Sequence, residues 1–154
     1  MNEIQRITSF TVDHDKITEG IYLSRVDGDV VTYDLRTRIP NAGDYMDHLT
    51  MHSLEHMFAT YVRNSEIGDR VIYFGPMGCR TGFYLLVREL PHEQVLAIVK
   101  DVLTKIVAHE GEMFGASQKE CGNYRELSLD AAKIEATRYL EKLNAKEQTF
   151  AYPQ

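Results

Sequence analysis

Long hydrophobic runs are missing from this sequence. No stretch approaches 18 consecutive apolar residues, so no membrane-spanning helix is expected. Residues 1–10 show no charged segment followed by an apolar one, so no secretory signal is read there. Basic residues are in deficit: 17 Lys and Arg face 23 Asp and Glu, a formal net charge of −6. A nucleic-acid-binding module would carry a basic stripe, and an acidic balance gives no reason to expect an anionic membrane as partner. Cysteine is scarce, with only Cys79 and Cys121. A chain of this length buries roughly 68–70% of the surface its unfolded form exposes. It can therefore hold a core without a disulfide, and two buried thiols are the bland reading of the pair. Proline and glycine punctuate lightly, and neither an internal repeat nor a low-complexity tract is visible. One domain over residues 1–154, soluble and cytoplasmic, is the expectation.

What is present supports a packed fold. The chain is 44% hydrophobic and 26% charged, which excludes disorder and collagen-like repetition. Residues 21–26 and 30–35 are short β-rich runs flanking Asp27-Gly28-Asp29, a hairpin signal. After the turn cluster at 40–43 the period changes. Leu54, Met57, Phe58, Tyr61 and Val62 recur at helical spacing and predict a helix over about 45–64. Residues 70–74 and 82–88 read as strands, separated by a Gly-rich segment at 75–81. Pro91 is placed to open a second helix reaching about residue 109, since its missing N–H costs nothing at a first helical position. A long loop covers 111–126. A third helix spans about 129–143, with Ser128 as N-cap. Strands joined as hairpins, with helices between and after them, imply an α+β fold: an antiparallel β-sheet covered by α-helices in two layers.

The first helix carries His52-Ser53-Leu54-Glu55-His56. At roughly 100° per residue, His52, Glu55 and His56 share one sector, opposite the apolar stripe. Both imidazoles can reach one ion, in the H-x-x-E-H order of inverted zincins. A carboxylate beside such an ion can move protons without ligating it. Alone, the pair reads equally well as a solvated helix face. Cys121, in Lys119-Glu120-Cys121-Gly122, is a candidate third ligand; one thiolate with two imidazoles suits Zn²⁺ or divalent iron and leaves an open position. Cys79 lies in a Gly-rich turn before Arg80. A neighbouring cation favours the thiolate, which can serve as nucleophile or general acid/base; a small residue packed at a tight turn is the plain alternative.

Together these segments resemble a known family. Residues 50–56, 75–84 and 119–122 look like the signature blocks of S-ribosylhomocysteine lyase, the LuxS family, and so do Ser9-Phe10-Thr11-Val12-Asp13-His14 and Tyr33-Asp34-Leu35-Arg36 with Pro40-Asn41. The resemblance covers about residues 8–145. It implies a LuxS-like metalloenzyme fold and one divalent metal per subunit, natively iron(II) with zinc possible, on His52, His56 and Cys121. It implies Glu55 and Cys79 as the acid/base pair, and Ser9, His14 and Arg36 as substrate contacts. It further implies a homodimer with active sites at the subunit interface. The expected reaction cleaves the thioether of S-ribosylhomocysteine to homocysteine and 4,5-dihydroxy-2,3-pentanedione, the precursor of autoinducer-2, and serves the activated methyl cycle. Two positions depart from some relatives: Tyr73 stands where an aspartate can occur, and Arg38 where a cysteine can, which bears on the polar lining of the pocket.

The chemistry explains the residue types. Breaking an unactivated thioether needs an acidic carbon next to the one bearing sulfur, and the sugar supplies it only after its carbonyl has migrated. Two aldose–ketose shifts and a β-elimination achieve this. Charge develops on sugar oxygens, which a Lewis acid stabilises, and protons must move between carbons. Two other classes compete. A metallopeptidase would take Glu126 or Glu135 as third ligand and leave Cys79 without a role. A non-catalytic metal protein would close the shell with a fourth ligand.

Overall fold

In a computed structural model, which describes residues 3–154, the elements follow the expected order. The strands are β1 (Gly20–Asp27), β2 (Val30–Arg36), β3 (Val71–Pro76) and β4 (Gly82–Arg88). The helices are α1 (His48–Arg63), α2 (His92–Ala108) and α3 (Leu129–Asn144), with 3-10 turns at Thr8–Phe10 and Gly68–Arg70. All pairings are antiparallel, in the spatial order β1-β2-β4-β3. The three helices pack on one another, and α1 also packs on β3, giving the helix-covered sheet that the sequence implies. No helix among the described residues is long and apolar enough to cross a membrane.

Alternation along the central strands sorts side chains to two faces. Val31, Tyr33 and Leu35 of β2, with Phe83, Leu85 and Val87 of β4, enter the core. Thr32, Asp34 and Arg36, with Tyr84 and Leu86, take the opposite face, where Asp34 pairs with Tyr84 across the ladder. The helices bring matching stripes: Leu54, Met57, Phe58 and Val62 from α1, Val95, Val99, Val102 and Ile106 from α2, Ala132, Ala136 and Tyr139 from α3. Phe74 is stacked between Phe58 of α1 at 4.3 Å and Phe83 of the sheet at 5.0 Å, so one ring joins both layers. Truncating such a ring to alanine typically costs about 3–5 kcal/mol. The β1–β2 hairpin turns at Gly28-Asp29, with Gly28 at φ +62 as the turn requires.

Element boundaries shift for local reasons. Helix α1 begins at His48 rather than near 45, because the Asp47 side chain accepts a hydrogen bond from the Thr50 N–H and caps it. Pro91 is the N-cap of α2 rather than its first helical residue, with ψ 135 outside the helical region. Strand β3 runs on through Gly75 and Pro76, and Arg70 belongs to the preceding turn. Ser128 caps α3 as expected, accepting from the Ala131 N–H at 3.2 Å.

Candidate metal centre and a separate thiol site

Helix α1 turns its apolar stripe to the core, so His52, Glu55 and His56 face outward, half-buried under the loop between α2 and α3. That loop orients both imidazoles. The Nδ1 of His52 lies 2.9 Å from the Glu126 carbonyl and the Nδ1 of His56 lies 3.0 Å from the Phe114 carbonyl. A carbonyl oxygen only accepts, so each Nδ1 carries the proton and each Nε2 presents a lone pair. Gly115, at φ +66, makes this approach possible: a Cβ there would lie 2.9 Å from His56 Nδ1. The Ser128 N–H donates to Ser53 Oγ at 2.8 Å, which ties the end of the loop to α1.

The same loop delivers Cys121. Its Sγ lies 3.4 Å from His52 Nε2 and 3.7 Å from His56 Nε2. The three donor atoms fall within 4.8 Å of one another. With both Nδ1 protons given to carbonyls, two Nε2 lone pairs and one sulfur converge, a donor set that suits a cation once the thiol proton is released. The spacing fits one: tetrahedral bonds of roughly 2.0–2.1 Å to nitrogen and 2.3 Å to sulfur separate N from S by about 3.6 Å. Glu55 is outside this donor group but lines the adjacent cleft of roughly 260 Å³ with His48, Met51, His52, Pro76, Asn123 and Glu126. Of the two carboxylates a peptidase would take as third ligand, Glu135 is buried in a bidentate pair with Arg38, at 2.8 and 2.7 Å, and Glu126 lines the cleft but stands outside the donor group.

Cys79 does not line that cleft, nor do Ser9, His14 or Arg36. Cys79 is exposed in the β3–β4 turn, next to Arg80 in the left-handed region at φ +63. The Arg80 guanidinium lies over the Tyr45 ring and bonds the Met46 carbonyl at 3.4 Å. The cation that acts on Cys79 is instead Arg36, on the face of the sheet away from the helices. Burial works against the Arg36 charge, but Asp34, through two hydrogen bonds and its charge, and then Cys79 more than offset it, so Arg36 is held more firmly protonated. Tyr84 stands beside them; burial foremost, with Asp34 and Cys79 adding, pushes its phenol up, while Arg36 and Ser9 oppose the shift. Ser9 and Tyr84 line a second hollow of roughly 440 Å³ on this face. His14 is half-buried with Nδ1 2.9 Å from the Val12 carbonyl.

The two departures from the family pattern separate here. Arg38 serves the scaffold, joining the loop after β2 to Glu135 of α3 and to Asp44. The Tyr73 ring folds over Gly75, where a Cβ would meet its hydroxyl. Sequence reasoning missed Gly115, Thr81, Asp34 and Tyr152. Of these, Asp34 stood two residues from Arg36 on one strand face, a spacing that could have flagged the pair.

Residues 7–150 match the family described as S-Ribosylhomocysteinase (LuxS). A protein of Borreliella burgdorferi (strain ZS7), called S-ribosylhomocysteine lyase, is 43% identical over 97% of this chain and 100% of its own. One of Finegoldia magna with the same name is 42% identical over 98% and 100%, and one of Clostridium beijerinckii 39% over 97% and 99%. With these donors in place and similarity running nearly end to end, the chain belongs to the S-ribosylhomocysteinase (LuxS) family of enzymes.

Proposed function

We propose that this enzyme is a metal-dependent carbon–sulfur lyase that cleaves S-ribosylhomocysteine to homocysteine and 4,5-dihydroxy-2,3-pentanedione. The observation that carries the reading is the convergence of His52 Nε2, His56 Nε2 and Cys121 Sγ beside a cleft that Glu55 lines. These three residues hold one divalent ion, iron(II) natively with zinc as a substitute, and leave a coordination position free. When bound, the ion supplies Lewis acidity toward the sugar oxygens. Residues 1–154 form one catalytic domain, working in the cytoplasm.

Cys79, as thiolate, takes a proton from a sugar carbon and returns it to the neighbouring one, so that the carbonyl migrates along the chain. Glu55 moves protons among the sugar oxygens during these shifts. In the last step a base removes the proton from the carbon next to the one bearing sulfur, the C–S bond breaks, and the departing thiolate is protonated as homocysteine. General acid/base assistance of this kind is typically worth 10²–10⁴-fold. Ser9, His14 and Arg36 bind the substrate.

The two groups of residues lie on different parts of one chain, which supports an active site assembled between two copies. The N-terminal segment exposes Ile4, Ile7 and Phe10, at 98%, 56% and 65%, an apolar surface suited to a second chain. The test is anaerobic purification, metal analysis, and release of free thiol from S-ribosylhomocysteine. Thiol release dependent on bound metal is expected. Peptide hydrolysis without thiol release would return the inverted-zincin reading.

A further inference from the structure

The Cys79 sulfur is 3.0 Å from the Thr81 hydroxyl oxygen. That oxygen also receives a hydrogen bond from Arg36 Nη1 at 2.8 Å. A guanidinium is always a donor, so Thr81 Oγ1 accepts from Arg36 and keeps its own proton to give. Thr81 is 1% exposed, and its hydroxyl proton therefore needs a protein acceptor. Cys79 Sγ is the remaining hydrogen-bond partner of that hydroxyl among the described residues.

The arrangement is held from behind. Arg36, 3% exposed, is fixed by Asp34 through Nε at 3.0 Å and Nη2 at 2.6 Å. Asp34 in turn accepts from the Tyr152 hydroxyl at 2.7 Å, and Tyr152 is stacked on Tyr22 with ring centroids 4.9 Å apart. The Thr81 carbonyl accepts from the N–H groups of Thr37 and Arg38, both at 3.0 Å. The charged and titratable groups that interact with Cys79 are thus Arg36 on β2 and Tyr84 on β4, with Asp34 of β2 and Tyr152 of the C-terminal segment behind Arg36; Arg80 is turned to Tyr45.

We infer that Thr81 is a positioning residue for the proton-transferring cysteine: its hydroxyl, polarised by Arg36, donates to the Cys79 sulfur and holds it as an aimed thiolate. A hydrogen bond donated to the charged form favours that form. The inference rests on the proposed role of Cys79, but its test does not use the lyase reaction. Iodoacetamide alkylation of Cys79 in the metal-loaded enzyme is followed against pH by mass spectrometry of the peptide carrying Cys79. Thr81→Val should move the alkylation midpoint upward by about one pH unit, leaving roughly tenfold less thiolate below the midpoint. Thr81→Ser, which keeps the hydroxyl, should restore the parent profile, and metal content should be unchanged in both. If Thr81→Val does not fold, Thr81→Ala decides the question with the same expectation. A midpoint that stays put in the folded Val or Ala variant overturns the assignment, as does a Ser variant that behaves like Val. Absence of thiol release from the unaltered enzyme would instead overturn the lyase reading.

Discussion

The two cysteines occupy opposite settings in one small fold. Cys121 faces two imidazole nitrogens whose lone pairs are aimed at it, and its backbone is carried by a loop pinned to α1. Cys79 faces a hydroxyl with a guanidinium behind it, on the far side of the sheet. The first surroundings suit a bound cation, and the second a free thiolate. In the function proposed above the same element serves as ligand in one place and as proton carrier in the other, with the neighbours deciding which.

Exchanging each sulfur separately breaks or confirms this division. Cys121→Ala should lose bound metal and turnover together, and His56→Ala should do the same. Cys79→Ala should abolish turnover while metal content, read by elemental analysis, stays near that of the unaltered enzyme. Loss of metal from Cys79→Ala would show that the division of labour is drawn wrongly.

The distance between the two settings leads to a mixing experiment. Glu55→Gln and Cys79→Ala should each be inactive alone, the first through lost proton transfer and the second through the lost thiolate. If a complete site takes Glu55 from one copy and Cys79 from the other, dissociating and reassociating the two variants together creates mixed dimers. One of their two sites then has both native residues, so thiol release should recover to about a quarter of the parent level in a statistical mixture. No recovery, with mixed dimers shown by mass spectrometry, would place the whole site within one chain.

The metal side was the more legible of the two in the sequence. Helical spacing alone puts His52, Glu55 and His56 on one face, because they are local neighbours. The hairpin at Gly28 and the Ser128 cap are local in the same way. What holds Cys79 was not legible, since Asp34 and Tyr152 are 118 residues apart and Arg36 and Thr81 are 45 apart. Such contacts depend on strand register and on the path of the C-terminal segment, and no short pattern records either. The neighbouring Arg80 was the obvious cation for Cys79, yet the left-handed turn directs it elsewhere.

The metal side also depends on one position without a side chain. Gly115→Ala introduces a Cβ at 2.9 Å from His56 Nδ1, in a backbone conformation that costs an alanine about 1–2 kcal/mol. The loop must retreat, and the Phe114 carbonyl loses its hold on the ring. Changes at such supporting groups typically lower metal affinity 10–100-fold. Competition with a chelator should show a loss in that range, with alkylation of Cys79 unaffected. Unchanged metal affinity would mean that the Phe114 contact does not orient the ligand.

The smallest expected effect concerns the two faces of the sheet rather than the two sulfurs. Tyr33 is buried on the helix-covered face, with its hydroxyl 2.5 Å from His92 Nδ1. Burial foremost, with the Glu93 charge adding, pushes its phenol up to about 12 from 10.0. Tyr152, toward the other face, is raised by burial and by Asp34. A raised phenol favours the protonated form in the folded state. Its contribution is complete below the unfolded value near 10 and is lost as pH rises through the folded value. For Tyr33 that window is about pH 10–12. Tyr33→Phe should therefore be slightly less stable at neutral pH, having lost one hydrogen bond, yet should lose stability less steeply between pH 10 and 12. Urea unfolding of both proteins across that range reads the difference. Parallel curves would mean that alkaline sensitivity resides in the Tyr152–Asp34 side, and that the core face takes no part in it.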